Sequence, residues 1–215
     1  MSDEITDEII SGVLDVSSLV IAFSKVNRAT HLDAKGTKES DTDHTVMLAI
    51  VACCVAAKIH PDYDLGKVAQ YALVHDLVEV YSGDVVTIDH HSVDHRAKQK
   101  SEAEALSIIK KRFGKVFPWL HQTIENYEKL LDPESRFVKT IDKAMPPIAQ
   151  YFSSNKVINQ TFSDPESFEA SMQAINDNLR STYAHDQKPA LDIRIKILEG
   201  IIDKKYQHHG KKRSK

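Results

Sequence analysis

Three ionisable residues, His75, Asp76 and Glu79, sit in the middle of the apolar stretch KVAQYALVHDLVEVY. Around them Val68, Ala72, Leu73, Leu77 and Val80 recur at helical spacing and mark a buried element. Ionisable side chains in such a place are costly unless something compensates them. A bound divalent cation does so and also explains the residue types, because imidazole nitrogen and carboxylate oxygen are ligands of transition metals. Successive helical residues project ~100° apart, so His75 and Asp76 can both reach one ion beside a groove. Glu79, four residues after His75 and three after Asp76, falls on the same side. The competing reading of the pair is a core histidine hydrogen-bonded to a buried acid. Further residues favour the cation. His44 stands in the first turn of the helix opened by ESDTDHTVMLA, Asp84 closes HDLVEVYSGD, and Asp142 interrupts the apolar FVKTIDKA. Taken singly, each has a plainer role: a polar helix start for His44, a pairing of Asp142 with Lys139 or Lys143, and a pairing of Glu79 with His75.

These residues must be positioned by helices. Ile5, Ile9, Val13, Val16, Val20 and Phe23 predict a first helix from Asp3 to about Val26, capped by Ser2 or Asp3. A polar loop follows from Asn27 to Asp43, with Gly36 at its tip. A second helix runs from about Thr42 to His60, with Thr42 or Asp43 as its cap, and its span from Thr45 to Ala57 is apolar almost all round, as in a core helix. Asp64 caps a third helix through about Tyr81, closed by Ser82-Gly83-Asp84. The segment from Val85 to Arg96 reads as a loop. Helices resume at about 97–113, 117–131 and 134–152, and a further pair at 165–183 and 188–206 has Pro165 and Pro189 in the first turns. No strand-period segment exceeds four residues. The expectation is an all-α single domain over residues 1–206, with the last helix pair packed on it and a basic, disordered tail at 207–215.

Composition narrows the function. Seven glycines and seven prolines in 215 residues argue against a many-turned β architecture. A net charge of −3 and a pI near 6.4 provide no basic field, so duplex nucleic acid is not an expected partner. No uninterrupted apolar run approaches the ~18 residues of a membrane span. The start MSDEITDE is acidic where a secretory signal is basic, and the adjacent Cys53 and Cys54 cannot build a disulfide framework, so the expected location is cytoplasmic. Of the 11 histidines, His91 and His95 in DHHSVDH would share a helical face, but that segment lacks apolar periodicity and reads as a flap. Trp119 reads as a packing anchor beside Pro118. Ile193, Ile197, Leu198, Ile201 and Ile202 make the last helix apolar enough to dock on the domain or to share in a dimer interface.

The order H…HD…D, with HDxxExxxGD in the middle and a late aspartate, resembles the HD-domain superfamily of metal-dependent phosphohydrolases. More narrowly, it is similar to the single-domain bacterial 5′-deoxynucleotidases, over about Phe23 to Tyr151. The resemblance implies a helical bundle with one divalent transition ion (Mn, Fe, Co, Ni or Zn) held between core helices by His44, His75, Asp76 and Asp142. It assigns Glu79 and Asp84 to the water nucleophile. It places Arg28, in VNRATH, on the substrate phosphate, where a planar guanidinium suits bidentate recognition, with His31 as a further substrate contact. The implied reaction releases phosphate from a (deoxy)nucleoside 5′-monophosphate. Alternatives are a deoxynucleoside triphosphate triphosphohydrolase and a nucleotide-binding regulatory module without turnover. One departure stands out: a tryptophan commonly follows that arginine in the family, and here the residue is Ala29. Lys35 and Lys38 in the same loop are candidates for additional phosphates. Family members are often dimers, so a homodimer is expected.

Overall fold

In the computed structural model, which describes residues 5–84, 94–154, 161–162 and 164–210, helix α1 spans Asp7–Phe23 and begins where the Thr6 hydroxyl accepts the Ile9 amide. The helix start expected at Ser2 or Asp3 lies outside the described residues. The polar loop holds structure that periodicity did not reveal: β1 (Asn27–His31) pairs antiparallel with β2 (Lys38–Ser40), Asn27 facing Ser40 and His31 facing Lys38. Strands of five and three residues are too short to display alternation. The turn between them is tied by Asp33, which accepts the Gly36 and Thr37 amides, and Gly36 takes φ 92°, a left-handed conformation that glycine adopts without strain.

Helix α2 (Asp41–Ile59) starts one residue before the sequence suggests, because its cap is Ser40 rather than Thr42 or Asp43. The Ser40 hydroxyl accepts the Asp43 amide and the Asp43 carboxylate accepts the Ser40 amide, a reciprocal capping box. By length and composition, with a mean hydropathy of 1.5, α2 could cross a membrane. It opens with Asp41, Asp43 and His44, however, and it buries Leu48, Ala52 and Ala56 in the core. Its far side exposes Val46, Ile50 and Cys54, so the helix is half-buried rather than embedded all round.

The third helix is shorter than expected. Helix α3 (Leu65–Val74) is capped by Asp64 as anticipated, then tightens through residues 75–78 before α4 (Glu79–Ser82). The amides of Leu77 and Glu79 bond three residues back, to Val74 and Asp76 carbonyls, and the His75 ring takes the Ala72 carbonyl at 2.8 Å. Gly83, at φ 75°, lets the chain leave α4 at once. Helix α5 (His95–Phe113) begins two residues earlier than the pattern suggests, because Asp94 accepts the Arg96 and Ala97 amides. The stretch 85–93, with most of the DHHSVDH segment, lies outside the described residues.

Helix α6 (Pro118–Lys129) carries Trp119 half-exposed, donating to Gln70 Oε1 at 2.9 Å, so it is not a buried anchor. The element expected at 134–152 is two helices, α7 (Pro133–Asp142) and α8 (Met145–Phe152). Pro146 and Pro147 explain the break, since neither can supply the amide that would continue the ladder. Beyond them, α9 (Pro165–Gly210) leaves helical geometry at Gln187, two residues before Pro189. Its halves fold back on each other, with Phe168 and Met172 sharing a core with Leu198 and Ile201, so the expected helix pair docks on its own chain. Helix continues through Gly210, and residues 211–215 lie outside the described part.

Two cores flank α3. One gathers Leu48, Ala52 and Ala56 of α2, Val68 and Ala72 of α3, and Phe137 and Ile141 of α7. The other gathers Leu19 and Phe23 of α1, Val74, Leu77 and Val78, and Ile109, Phe113 and Ile124 of α5 and α6. The tight turn after α3 lies between them.

Candidate metal centre

Four of the predicted residues converge. One ligand atom from each of His44, His75, Asp76 and Asp142 lies within 4.8 Å of all the others. His44 comes from the first turn of α2, Asp142 from the end of α7, and His75 and Asp76 from the tight turn. His44 Nε2 is 3.1 Å from Asp142 Oδ1, His75 Nε2 is 2.9 Å from Asp76 Oδ2, and the two imidazole centroids are 5.3 Å apart. The His75–Asp76 approach is close but not aligned as a hydrogen bond, and His75 Nε2 is otherwise buried without a partner. An orphaned imidazole nitrogen facing two carboxylates, beside a second imidazole, fits the donor set of a divalent transition ion.

The nitrogens pointing away from the centre are both held. His75 Nδ1 donates to the Ala72 carbonyl, and His44 Nδ1 lies 3.1 Å from Glu39 Oε1. Either arrangement leaves Nε2 for the centre. Asp142 also takes Lys143 Nζ at 2.8 Å through its other oxygen, so the plainer pairing considered for it coexists with its place in the cluster.

Charges are strongly coupled here. Burial opposes ionisation of Asp76, but His75 and Arg28 overcome it and hold the carboxyl well below the usual range. Burial likewise opposes Asp142, and Lys143 with His44 and His75 brings it well below that range. His44 is disfavoured as a cation by burial, yet its hydrogen bonds to Asp142 and Glu39 raise it to about 9. Glu79 is pushed up to about 10, first by burial and then by Asp76, Asp84 and Asp41. Asp84 rises for the same reasons, with Arg28 and Lys98 opposing.

Arg28 is no exposed loop residue. Its Nη1 bridges Asp41 Oδ1 at 3.1 Å and Asp76 Oδ2 at 2.7 Å. Burial works against its charge, but Asp76, Asp142 and Asp84 raise its pKa above the ordinary arginine value. Glu79 opens α4 with Oε2 buried and unpartnered, while Oε1 faces Lys98 Nζ of α5 at 3.6 Å rather than His75. His31 is buried at the far end of β1, opposite Lys38, and Lys35 and Lys38 are exposed.

Sequence reasoning missed four contributors. Asp41 is fully buried, with one oxygen on Arg28 and the other unpartnered, and burial lifts it to about 6, with Asp76 and Asp84 adding to the rise and Arg28 opposing it. Glu39 and Thr30 meet across the ribbon and reach His44. Lys98 gives the Glu79 side of the site its cation. The only signal for Glu39 and Asp41 was the acidic run before His44, which reads equally well as helix-capping.

An all-α bundle with two imidazoles and two carboxylates drawn from three separate segments onto one buried point is a metal-centre scaffold. The family is shown by the match of an HD-domain model to residues 23–188: the chain belongs to the HD-domain family. It is 28% identical over 126 residues to 5′-deoxynucleotidase hdd1 of Schizosaccharomyces pombe, covering 56% of this chain and 61% of that protein. It is 31% identical over 110 residues to 5′-deoxynucleotidase HDDC2 of Bos taurus, covering 49% of each. The chain thus spans about half to three-fifths of the curated relatives it matches. Among solved structures, a predicted metal-dependent phosphohydrolase of Magnetospirillum magnetotacticum has the same fold, with a TM-score of 0.73 at 15% identity over 93% of this chain and 98% of that one. A conserved hypothetical protein of Pyrococcus furiosus superposes with a TM-score of 0.55 at 20% identity, over 89% and 97%.

Proposed function

We propose that this chain is a metal-dependent phosphohydrolase that removes the phosphate from a (deoxy)nucleoside 5′-monophosphate in the cytoplasm. The observation that carries the reading is the four-residue cluster within 4.8 Å, with the Arg28 guanidinium 2.7 Å from one member. The relatives named as 5′-deoxynucleotidases support the substrate class. His44, His75, Asp76 and Asp142 hold one divalent transition ion, of which Mn, Fe, Co, Ni and Zn all suit two imidazoles and two carboxylates. When bound, the ion polarises the phosphoryl oxygen and lowers the pKa of water.

The chain's own groups do the rest. Arg28, kept charged and aimed by Asp41, orients the phosphate, and His31 is assigned to the substrate side. Glu79 and Asp84 place the attacking water and accept its proton, and the positive charge of an ion held beside Asp76 would favour the ionised carboxylates that this role needs. Lys98 limits the negative charge around Glu79. A homodimer is carried with this reading, and Ile10, Leu14 and Ile21 of α1 with Val46 and Ile50 of α2, all exposed in the single chain, are the candidates for its interface. Sedimentation showing a monomer at micromolar concentration rejects that part.

The test is phosphate release from deoxy- and ribonucleoside mono- and triphosphates with each of several divalent ions. Orthophosphate from monophosphates is expected, and it disappears together with bound metal in Asp76→Ala. Release of inorganic triphosphate alone points instead to a triphosphohydrolase. Stoichiometric nucleotide binding without turnover points to a regulatory module.

A further inference from the structure

The two imidazoles of the cluster are secured differently. His75 Nδ1 is held by a backbone carbonyl, that of Ala72, which no side-chain substitution removes. His44 Nδ1 is held by a side chain, Glu39 Oε1 at 3.1 Å. Glu39 is 1% exposed, and its second oxygen accepts the Thr30 hydroxyl from the opposite strand. The chain thus buries a carboxylate whose two oxygens meet a ring nitrogen and a hydroxyl. Such burial is tolerated because both oxygens are hydrogen-bonded, and it commits the Glu39 side chain to these two contacts.

The local geometry makes the contact specific. Ser40 is the N-cap of α2, so Glu39 precedes the cap by one position and His44 is the fourth helical residue. Those two positions commonly carry an apolar pair that fixes the angle at which the chain enters a helix. Here the same staple is a carboxylate and an imidazole. The β-ribbon supplies the other side: Thr30 on β1 and Glu39 on β2 are brought together by the pairing of Asn27 with Ser40 and of His31 with Lys38. A ribbon of one five-residue and one three-residue strand therefore leads from Thr30 through Glu39 to the His44 ring, and from its Nε2 to Asp142 at 3.1 Å.

We infer that Glu39 is a positioning residue for the metal centre, accepting the Nδ1–H of His44 so that the ring turns Nε2 towards Asp142 and the centre, with Thr30 holding Glu39 in turn. The inference rests on the reading of His44, His75, Asp76 and Asp142 as the ligands. A carboxylate only accepts hydrogen bonds, so it fixes the proton on the ring nitrogen it faces and, with it, the tautomer and rotation of the ring.

The test compares Co²⁺ affinity, by chelator competition, in the wild type, Glu39→Gln, Thr30→Val and His44→Ala, and reads the His44 ring by ¹⁵N NMR in the Zn²⁺-loaded protein. Glu39→Gln, which replaces the charged acceptor by an amide that can turn its NH2 to the ring, is expected to weaken Co²⁺ binding ~10–100-fold, the usual effect of altering an outer partner of a ligand. Thr30→Val, which removes one neutral hydrogen bond, is expected to weaken it roughly two- to tenfold. In the Zn²⁺-loaded wild type His44 should carry its proton on Nδ1. Should Glu39→Gln not fold, Thr30→Val decides alone. Affinities within twofold of wild type for both variants, with His44→Ala binding weakly, overturn the role of Glu39 and leave the metal centre standing. Undiminished binding by His44→Ala overturns the ligand set, and the inference with it.

Discussion

His44 and Asp142 are separated by 98 residues, yet Nε2 of one lies 3.1 Å from Oδ1 of the other. The approach depends on where α7 stops. Asp142 is the last residue of α7, and the helix cannot run on because Pro146 and Pro147 begin the next one. Asp142→Ala should therefore empty the centre without unfolding the chain, since the break is set by the prolines and the core by Phe137, Val138 and Ile141. The expected loss of Co²⁺ affinity exceeds the ~100-fold of an outer-partner deletion, with unchanged circular dichroism. Retained affinity would remove Asp142 from the ligand set.

Arg28 is anchored before any phosphate arrives. Its Nη1 bridges Asp41 and Asp76, which leaves the rest of the guanidinium fork for a substrate oxygen. Arg28→Ala should raise KM for the monophosphate ten- to a hundredfold, since a hydrogen bond to a charged group is worth about 1.5–3 kcal/mol. Arg28→Lys should recover little, because an ammonium cannot bridge two carboxylates and a phosphate from one plane. Asp41→Asn should shift KM in the same direction by less. Steady-state kinetics on the three variants check this, and an unchanged KM in Arg28→Ala takes the residue off the phosphate.

The four candidate ligand positions drew notice in the sequence because His75, Asp76 and Asp142 interrupt apolar segments, and the spacing of His44, Glu79 and Asp84 around them carried the family resemblance. The sequence also showed Gly83 and the Asp64 cap, whose physics is local. What it concealed depends on pairing across distance. The β-ribbon has three residues in one strand, too few for a period, so Glu39 and Thr30 looked like loop polarity. The tight turn after Val74 was hidden because its apolar residues keep a helical spacing while its amides bond three residues back. Ile50 and Cys54 looked like core because nothing in an apolar helix says which side has a neighbour.

Glu79 gives a stability signature opposite to that of an ordinary salt-bridged acid. Burial first, then Asp76, Asp84 and Asp41, raise its carboxyl from 4.5 to about 10 in the metal-free protein. Below the unfolded value both states hold the proton. Between 4.5 and about 10 the folded chain keeps a proton that the unfolded chain has released, so stability falls as pH rises through that window. Glu79→Gln should remove this slope, so the stability of the metal-free variant relative to wild type should rise steadily as pH rises from about 4 to about 8. The difference should vanish near pH 4, where the wild-type carboxyl is protonated in both states, and kcat should drop ~10²–10⁴-fold with the loss of a proton acceptor. Urea unfolding across pH, with and without Mn²⁺, is the measurement. A gap that is independent of pH contradicts the assignment of the raised carboxyl to Glu79.

The turn after Asp142 is closed from outside by Arg194 of α9. Pro147 has no amide to return to the Lys143 carbonyl, and the Arg194 guanidinium takes that carbonyl instead, while its Nε donates to Asn176 Oδ1 at 2.9 Å. Burial pulls the Arg194 pKa down to about 10, with Asp142 opposing, so the charge is held at a cost. Two effects compete in Arg194→Leu: relief of that cost, and exposure of two acceptors inside the protein. The second should win, because each stranded polar group costs about 1–3 kcal/mol, and a net destabilisation of about 2 kcal/mol is expected. Pro147→Ala in the same background returns an amide to Lys143 and should recover part of the loss, so the two changes should not add. Urea unfolding of the two single variants and the double variant gives the coupling directly. Strict additivity would show that Arg194 holds α9 alone and not the turn that carries Asp142.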